Sequence, residues 1–234
     1  RLPVRGQHVA IVPHSQIVWI TGSANIEALR LLSELALQEF SEHPTPISAL
    51  PFLLDNDQWR PWLPAATHPA HAAMKMLHVH DTSAAYDEQA ELLKQKHLAE
   101  NVDLHLAVYR PMEVTEDDGR VEYYSVCVWT DSVATLLPKT DGIAVLRLKN
   151  REALDRGATT RPEFGETLCV AWERFEAELG TKLRRQEVYP ERYLVEATLA
   201  ESSWAVLAGQ QHHHAAALTE ALADAKPVAS TRQR

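Results

Sequence analysis

Residues 9–54 constrain the fold more than any other stretch. They read VAIV, a polar break PHSQ, then IVWIT, a long amphipathic segment, and ISALPFLL after two prolines. Two β-branched runs this close together predict adjacent strands joined by a short turn. Pro13 has no N–H for a ladder, so it is expected in that turn with His14, Ser15 and Gln16. Gly22 and Ser23 stop the second strand, and Ser23 or Asn25 is placed to cap a helix over 24–40. Within it Ile26, Leu29, Leu32, Leu35, Ala36 and Phe40 recur at helical spacing, away from Glu27, Arg30, Glu34 and Gln38. Pro44 and Pro46 require the helix to end before His43. A third strand is expected over 47–54. After an Asp55-Asn56-Asp57 turn comes WRPW at 59–62, which Pro61 and Pro64 restrict to an edge strand or a loop.

Beyond this unit the pattern continues in pairs. Residues 65–82 are rich in Ala and His and contain Pro69, which predicts an irregular linker. A helix is expected over 86–98, then strands over 104–114 and 121–129 joined by an Asp117-Asp118-Gly119 hairpin turn. PKTDG at 138–142 breaks the chain before a strand at 143–148. A charged stretch with Gly157 then precedes a helix over 162–179, with Pro162 in its first turn and Gly180 at its end. A strand pair over 182–189 and 192–199 and a short helix over 201–207 follow. Residues 215–225 suit a terminal helix and 226–234 a disordered tail. Strands sit beside strands more often than they alternate with helices. The expected fold is therefore α+β, with mostly antiparallel or mixed sheets and helices packed on one face. The expected organisation is a unit at 1–64, a linker at 65–82, a second unit at 83–209 and a tail at 210–234, or one domain overall.

A chain of 234 residues can build its core without metal or disulfide staples. A net charge of −9 with no basic stripe argues against a nucleic-acid partner. No run approaches the ~20 apolar residues of a membrane-spanning helix, so no membrane partner is expected. Cys127 and Cys169 lie in apolar runs, which suits reduced thiols in a cytoplasmic protein. The chain begins at Arg1 without Met, which is compatible with a fragment or a processed N-terminus.

Chemistry is sparse. His68, His71, His78 and His80 form the richest cluster. His78 and His80 would share a face on a strand, and His68 and His71 one helical turn, spacings at which imidazoles hold zinc. The segment has no HExxH pattern and no cysteine, so solvated or hydrogen-bonded histidines compete with that reading. His212, His213 and His214 form a low-complexity tract. His14-Ser15 lacks a nucleophile elbow, and turn chemistry explains it. Asp55, Asp57, Asp81, Asp117, Asp118 and Asp141 are all expected at turns. Neither GxGxxG nor a Walker loop occurs, and no cofactor is implied. The aromatics Trp59, Trp62, Tyr123, Tyr124 and Trp129 fall on edge-like or hairpin elements. Such residues are frequent binding anchors and equally ordinary strand residues.

The segments AIVPHSQIVWI (10–20), the helix ending in Glu39-Phe40, PISALPF (46–52) and the acidic turn before Trp59 resemble the C-terminal part of the YtpQ-like family of uncharacterised bacterial proteins. The resemblance covers mainly residues 9–62. Residues 143–199 resemble an earlier part of the same family, in an unusual order. It implies a bacterial protein and no established activity. The leading expectation is a non-enzymatic domain, of adaptor or immunity type, that binds another protein or itself through an edge strand or hairpin. A metal-dependent hydrolase built on the His cluster and a structural or oligomer-forming domain are the alternatives.

Overall fold

The N-terminal β-branched runs form the expected hairpin, β1 His8–His14 and β2 Ile17–Gly22, followed by helix α1, Ile26–Glu42. The computed structural model describes residues 2–116, 118–149 and 163–212. The cap of α1 is Asn25, whose side chain accepts from the Ala28 N–H; Ser23 Oγ instead accepts from the Gln7 N–H. His43 ends the helix, its N–H donating to the Glu39 carbonyl. Pro13 lies inside β1 rather than in the turn. It sits where the β1–β2 register shifts between Ile11 and His14, a bulge in which a missing N–H does not interrupt the ladder.

The chain falls into two units, Arg1–Leu92 with Arg110–Ser125, and Leu93–Tyr109 with Val126–Arg234. In the first, β3 Pro51–Asp55 and β4 Gln58–Pro61 complete a four-stranded sheet in the order β2-β1-β3-β4, every pair antiparallel. Asn56 and Asp57, both at positive φ (48° and 61°), make the two-residue turn between β3 and β4. Residues 47–50, expected as strand, are not. They are held by the Asp81 carboxylate, whose Oδ1 accepts from Ser48 Oγ at 2.8 Å and from the Ala49 N–H at 2.6 Å.

Asp81 itself is not at a turn. It lies on helix α2, His71–Glu100, which takes up residues 71–82 of the linker expected over 65–82 and absorbs the helix expected over 86–98. Met74 and Leu77 of α2 join Val9 and Ile11 of β1 and Leu29 and Ala36 of α1 in a buried cluster that forms the core of this unit. Replacing Asp81 with alanine is expected to lower the stability of this unit by about 1–3 kcal/mol, the usual loss for charge-assisted hydrogen bonds. Urea unfolding of Asp81→Ala checks this.

The expected strand at 104–114 is two strands, β5 His105–Leu106 and β6 Arg110–Thr115, which belong to different sheets. The hairpin turn after β6 is present, with the Gly119 N–H donating to the Glu116 carbonyl and φ of Gly119 at +80°. It leads into β7, Val121–Thr130, which pairs with β6.

In the second unit, residues 126–130 of β7 pair in parallel with β9, Gly142–Leu148, and β9 pairs antiparallel with β10, Phe164–Ala171. A second sheet runs β11-β12-β8-β5, with β8 Thr135–Pro138, β11 Leu183–Gln186 and β12 Arg192–Val195. The helix expected over 162–179 is corrected to a strand, β10, then a short helix, α3 Trp172–Leu179. Leu168, Cys169 and Val170 are buried in succession, so the strand is covered on both faces and shows no alternation. Helix α4, Glu201–Ala208, is present as expected. Its Trp204 donates to Glu166 of β10 at 2.9 Å and carries Arg147 of β9 over its ring at 4.0 Å. Trp129, Trp172, Phe175 and Leu207 lie in one core with residues of both sheets.

The fold is α+β, and the described residues form three sheets that are antiparallel or mixed. Among the described residues no helix is long and apolar enough to cross a membrane. The helix expected over 215–225, the part of the tail beyond His212, Gly157 and Asp117 lie outside the described residues, while Gln211 forms a β-bridge with Val170 and the His212 N–H donates to the Cys169 carbonyl.

A candidate protein-binding face

The sheet of the first unit has one face on its core and one face on solvent. In antiparallel pairs, residues directly opposite each other point to the same side. Val9, Ile11, Trp19 and Leu53 point to α1 and α2, where they meet the buried cluster. On the other side Ala10 stands opposite both Ile20 and Phe52, Phe52 opposite Pro61, and Leu54 opposite Trp59. Val18, two residues from Ile20, shares their side.

This outer face carries an apolar row across all four strands, with His8 on the same side at the start of β1. Val18 is 59 % exposed, Ile20 40 % and Trp59 47 %. Phe52 and Leu54 are half-buried, and only Ala10 is fully covered. Isolated apolar side chains on a surface are ordinary, but a contiguous row of them across a sheet is not. An antiparallel sheet covered on one side normally alternates apolar with polar residues. Here both sides are apolar. The two lateral strands, β2 and β4, are also edges, and all four residues of β4 are exposed.

The five aromatics singled out from the sequence separate. Trp59 lies on this outer face. Trp62 packs against the core of the same unit, edge-on to His68 with centroids 5.9 Å apart. Tyr123 is half-buried on β7; burial and a hydrogen bond to Glu113 push its phenol above the usual range. Tyr124 and Trp129 are buried, 6 % and 0 % exposed, and sit among interior strand residues rather than on the outer face. The reason is that residues 124–127 of β7 are buried without a break, so neither side of the strand there is free.

Of the four histidines, His71 lies near enough to His78 to oppose its protonation, but each of the two is bonded to the backbone. His71 Nδ1 bonds to the Pro64 carbonyl at 2.8 Å, and His78 Nε2 to the Trp62 carbonyl at 2.9 Å. Both rings thus fasten the chain after β4 to α2. His68 Nδ1 accepts from the Ala70 N–H. On a helix, residues two apart point to different sides, so His78 and His80 do not share a face as they would on a strand. Burial lowers the affinity of both His78 and His80 for a proton; the Trp62 carbonyl acts in the opposite sense on His78, and Glu113 on His80. Among the described residues no group of three His, Cys, Asp or Glu is placed to hold a metal ion.

Cys127 and Cys169 are buried and form no disulfide. They lie on β7 and β10, with β9 between. Two strand spacings of about 4.8 Å put them beyond disulfide reach. Burial pushes the Cys127 thiol up to about 12, against the opposing effects of Thr140 and Arg192, so it is not a nucleophile at neutral pH.

The residues missed from the sequence are Val18, Ile20, Phe52 and Leu54, which read there as scaffold. The available signal was the absence of alternation in IVWIT and PFLL. Compared with protein-family models, curated proteins and solved structures, the chain matches none.

Proposed function

We propose that this chain is a non-enzymatic binding domain that docks another protein on the outer face of its N-terminal sheet, with Trp59 as the anchor. One observation carries the reading: the apolar surface formed by Val18, Ile20, Phe52, Leu54 and Trp59 on a sheet already packed through its other face. Covering such a surface is favourable at about 25 cal/mol per Å² of apolar area, and a tryptophan at its margin is a frequent hot spot. The flanking edges add backbone donors and acceptors that a partner strand can use. Two buried thiols outside any disulfide suit a reducing, cytoplasmic setting. An adaptor or immunity-type role follows, in which recognition is the activity.

The test uses a photoreactive amino acid placed at Val18 or, as a control, at Leu98, which is 85 % exposed on α2. A partner captured from Val18 and not from Leu98 is then purified and titrated. Trp59→Ala is expected to weaken its binding at least about tenfold, or 1.4 kcal/mol, while changing stability by less than about 0.5 kcal/mol. Equal capture from both positions, or binding unaffected by Trp59→Ala, overturns the reading. A second copy of the chain as the captured species makes the face a dimer interface instead.

A further inference from the structure

The three sheets of the described residues end in the edge strands β2 and β4, β10 and β6, and β11 and β5. Edge strands avoid unwanted pairing through short length, charge, proline or a covering segment, and most of these edges carry such a device. On β10, Val170 is bridged by Gln211, and the His212 N–H donates to the Cys169 carbonyl at 2.7 Å. β11 carries Arg184 and Arg185, both exposed and paired with Glu196 and Glu191. β5 is two residues long, β6 contains Pro111 and β4 contains Pro61. β2 differs: Ile17–Gly22 is six residues long and has neither proline nor charge.

The register shows what the proline does on β4. In an antiparallel ladder, hydrogen-bonded pairs alternate with non-bonded ones. The Trp62 N–H donates to the Pro51 carbonyl at 2.8 Å, one step beyond the pairing of Pro61 with Phe52. Arg60 and Gln58 therefore bond to β3, and the backbone groups of Trp59 and Pro61 turn outward. Pro61 has no N–H to offer there. On β2 the Ser23 N–H donates to the Gln7 carbonyl at 2.8 Å, one step beyond the pairing of Gly22 with His8. Thr21 and Trp19 therefore bond to β1, and Val18 and Ile20 turn both N–H and C=O outward. The edge closes at Gly22. The Arg5 backbone stands where a side chain at Gly22 would project, and the Gly22 carbonyl accepts from the Asn25 N–H at 2.9 Å.

We propose that the partner is held by strand addition at β2: an extended, uncharged segment of the partner pairs with residues 17–21, and β4 takes no part in the backbone pairing. This rests on the reading of the outer face as a docking surface and specifies how a partner reaches it. Val18 and Ile20 each offer the incoming strand one donor and one acceptor. A strand laid along them puts every second side chain on the outer face beside Val18 and Ile20, which are 59 % and 40 % exposed, so those positions of the partner are apolar. Residues 17–25 carry no charged side chain, which matches an uncharged strand. At β4 the same strand would meet Arg60, with Asp55 and Asp57 close by in the sequence, and would leave one of its acceptors facing Pro61.

Amide exchange by NMR, residue by residue in the intact chain, tests the edge. In the dilute protein, Val18 and Ile20 are expected to exchange at least about tenfold faster than Trp19 and Thr21. The probe is a blocked peptide of alternating threonine and valine at millimolar concentration. It is expected to slow Val18 and Ile20 at least about threefold and to leave the Trp59 amide unchanged. Ile20→Pro removes an outward donor, as Pro61 does on β4, without removing a bond to β1. Protection of Trp19 and Thr21 shows that this variant is folded, and the peptide is expected to lose its effect on Val18. Trp59→Ala is expected to keep the peptide effect, so a failure at the edge and a failure of the face are told apart. Equal protection of Val18 and Trp19 in the dilute chain, no slowing by the peptide, slowing at Trp59 instead, or an undiminished effect in Ile20→Pro would each overturn the proposal. Protection of Val18 and Ile20 that rises with the concentration of the chain alone would also overturn it, by giving the edge to a second copy.

Discussion

Trp129→Ala is expected to destabilise the second unit by about 3–5 kcal/mol, the range for removing a large buried aromatic. Trp129 is fully buried, packs edge-on to Phe175 of α3 with centroids 5.6 Å apart, and donates its indole N–H to the Val133 carbonyl at 3.0 Å. Alanine removes the packing against the sheet and α3 and leaves that carbonyl without the indole. Urea unfolding followed by near-ultraviolet circular dichroism reads the loss. The contrast with Trp59→Ala is the informative part. The two residues look alike in the sequence, each a tryptophan on a strand, yet one belongs to a core and the other to a surface. A Trp129→Ala protein as stable as Trp59→Ala would contradict the core assignment.

Arg192 gives the second large effect. It is 1 % exposed, and its Nη1 donates to the carbonyls of Ala107 at 2.9 Å and Leu136 at 3.2 Å. The guanidinium thereby ties β12 to β8 and to the residue after β5 within the second unit. Charge-assisted hydrogen bonds of this kind contribute about 1.5–3 kcal/mol each in favourable cases. Arg192→Ala loses them and empties the volume of the long stem, for an expected total of about 3–5 kcal/mol. Arg192→Met keeps most of the volume and removes the cost of burying a charge, so it is expected to lose only about half as much. The order of the two variants is the test, read by denaturant unfolding. Equal losses would mean that packing of the stem contributes little, and no loss in either would contradict the tie.

These two residues also show what could be read from the chain alone. The hairpin, α1 and its Asn25 cap follow from local signals that the tertiary structure does not override: β-branched runs, a polar cap, an apolar stripe and two closing prolines. Strand β8 was not legible. Thr135–Pro138 is four residues long, buried throughout, and held on one side by β12 and on the other by a parallel two-residue contact with β5. Nothing within four residues signals partners that are distant in sequence. Strand β10 was hidden for a related reason: with Leu168, Cys169 and Val170 buried in succession, ETLCVA has no two-residue period, and Pro162 and Gly180 imitate helix ends. The start of α2 reads as loop because Ala, His and Thr give it little apolar periodicity. Its helix is fixed by tertiary contacts of His71, His78 and Asp81 instead.

The candidate site was half legible. Trp59 and the edge character of WRPW followed from proline placement. The apolar partners on β1, β2 and β3 did not, because an apolar residue in a strand is assigned to the core unless the register shows which side it faces. The register places Ile20, Ala10 and Phe52 in one row, and Leu54 with Trp59 in the next.

The most direct measurement of the central claim is a hydrogen-exchange footprint of the chain with its captured, purified partner. Protection is expected over 17–22 and 51–61, the peptides of β2, β3 and β4, at neutral pH. Protection confined to residues outside the N-terminal sheet, such as the hairpin of β11 and β12 or the end of α2, would contradict the outer face as the binding surface.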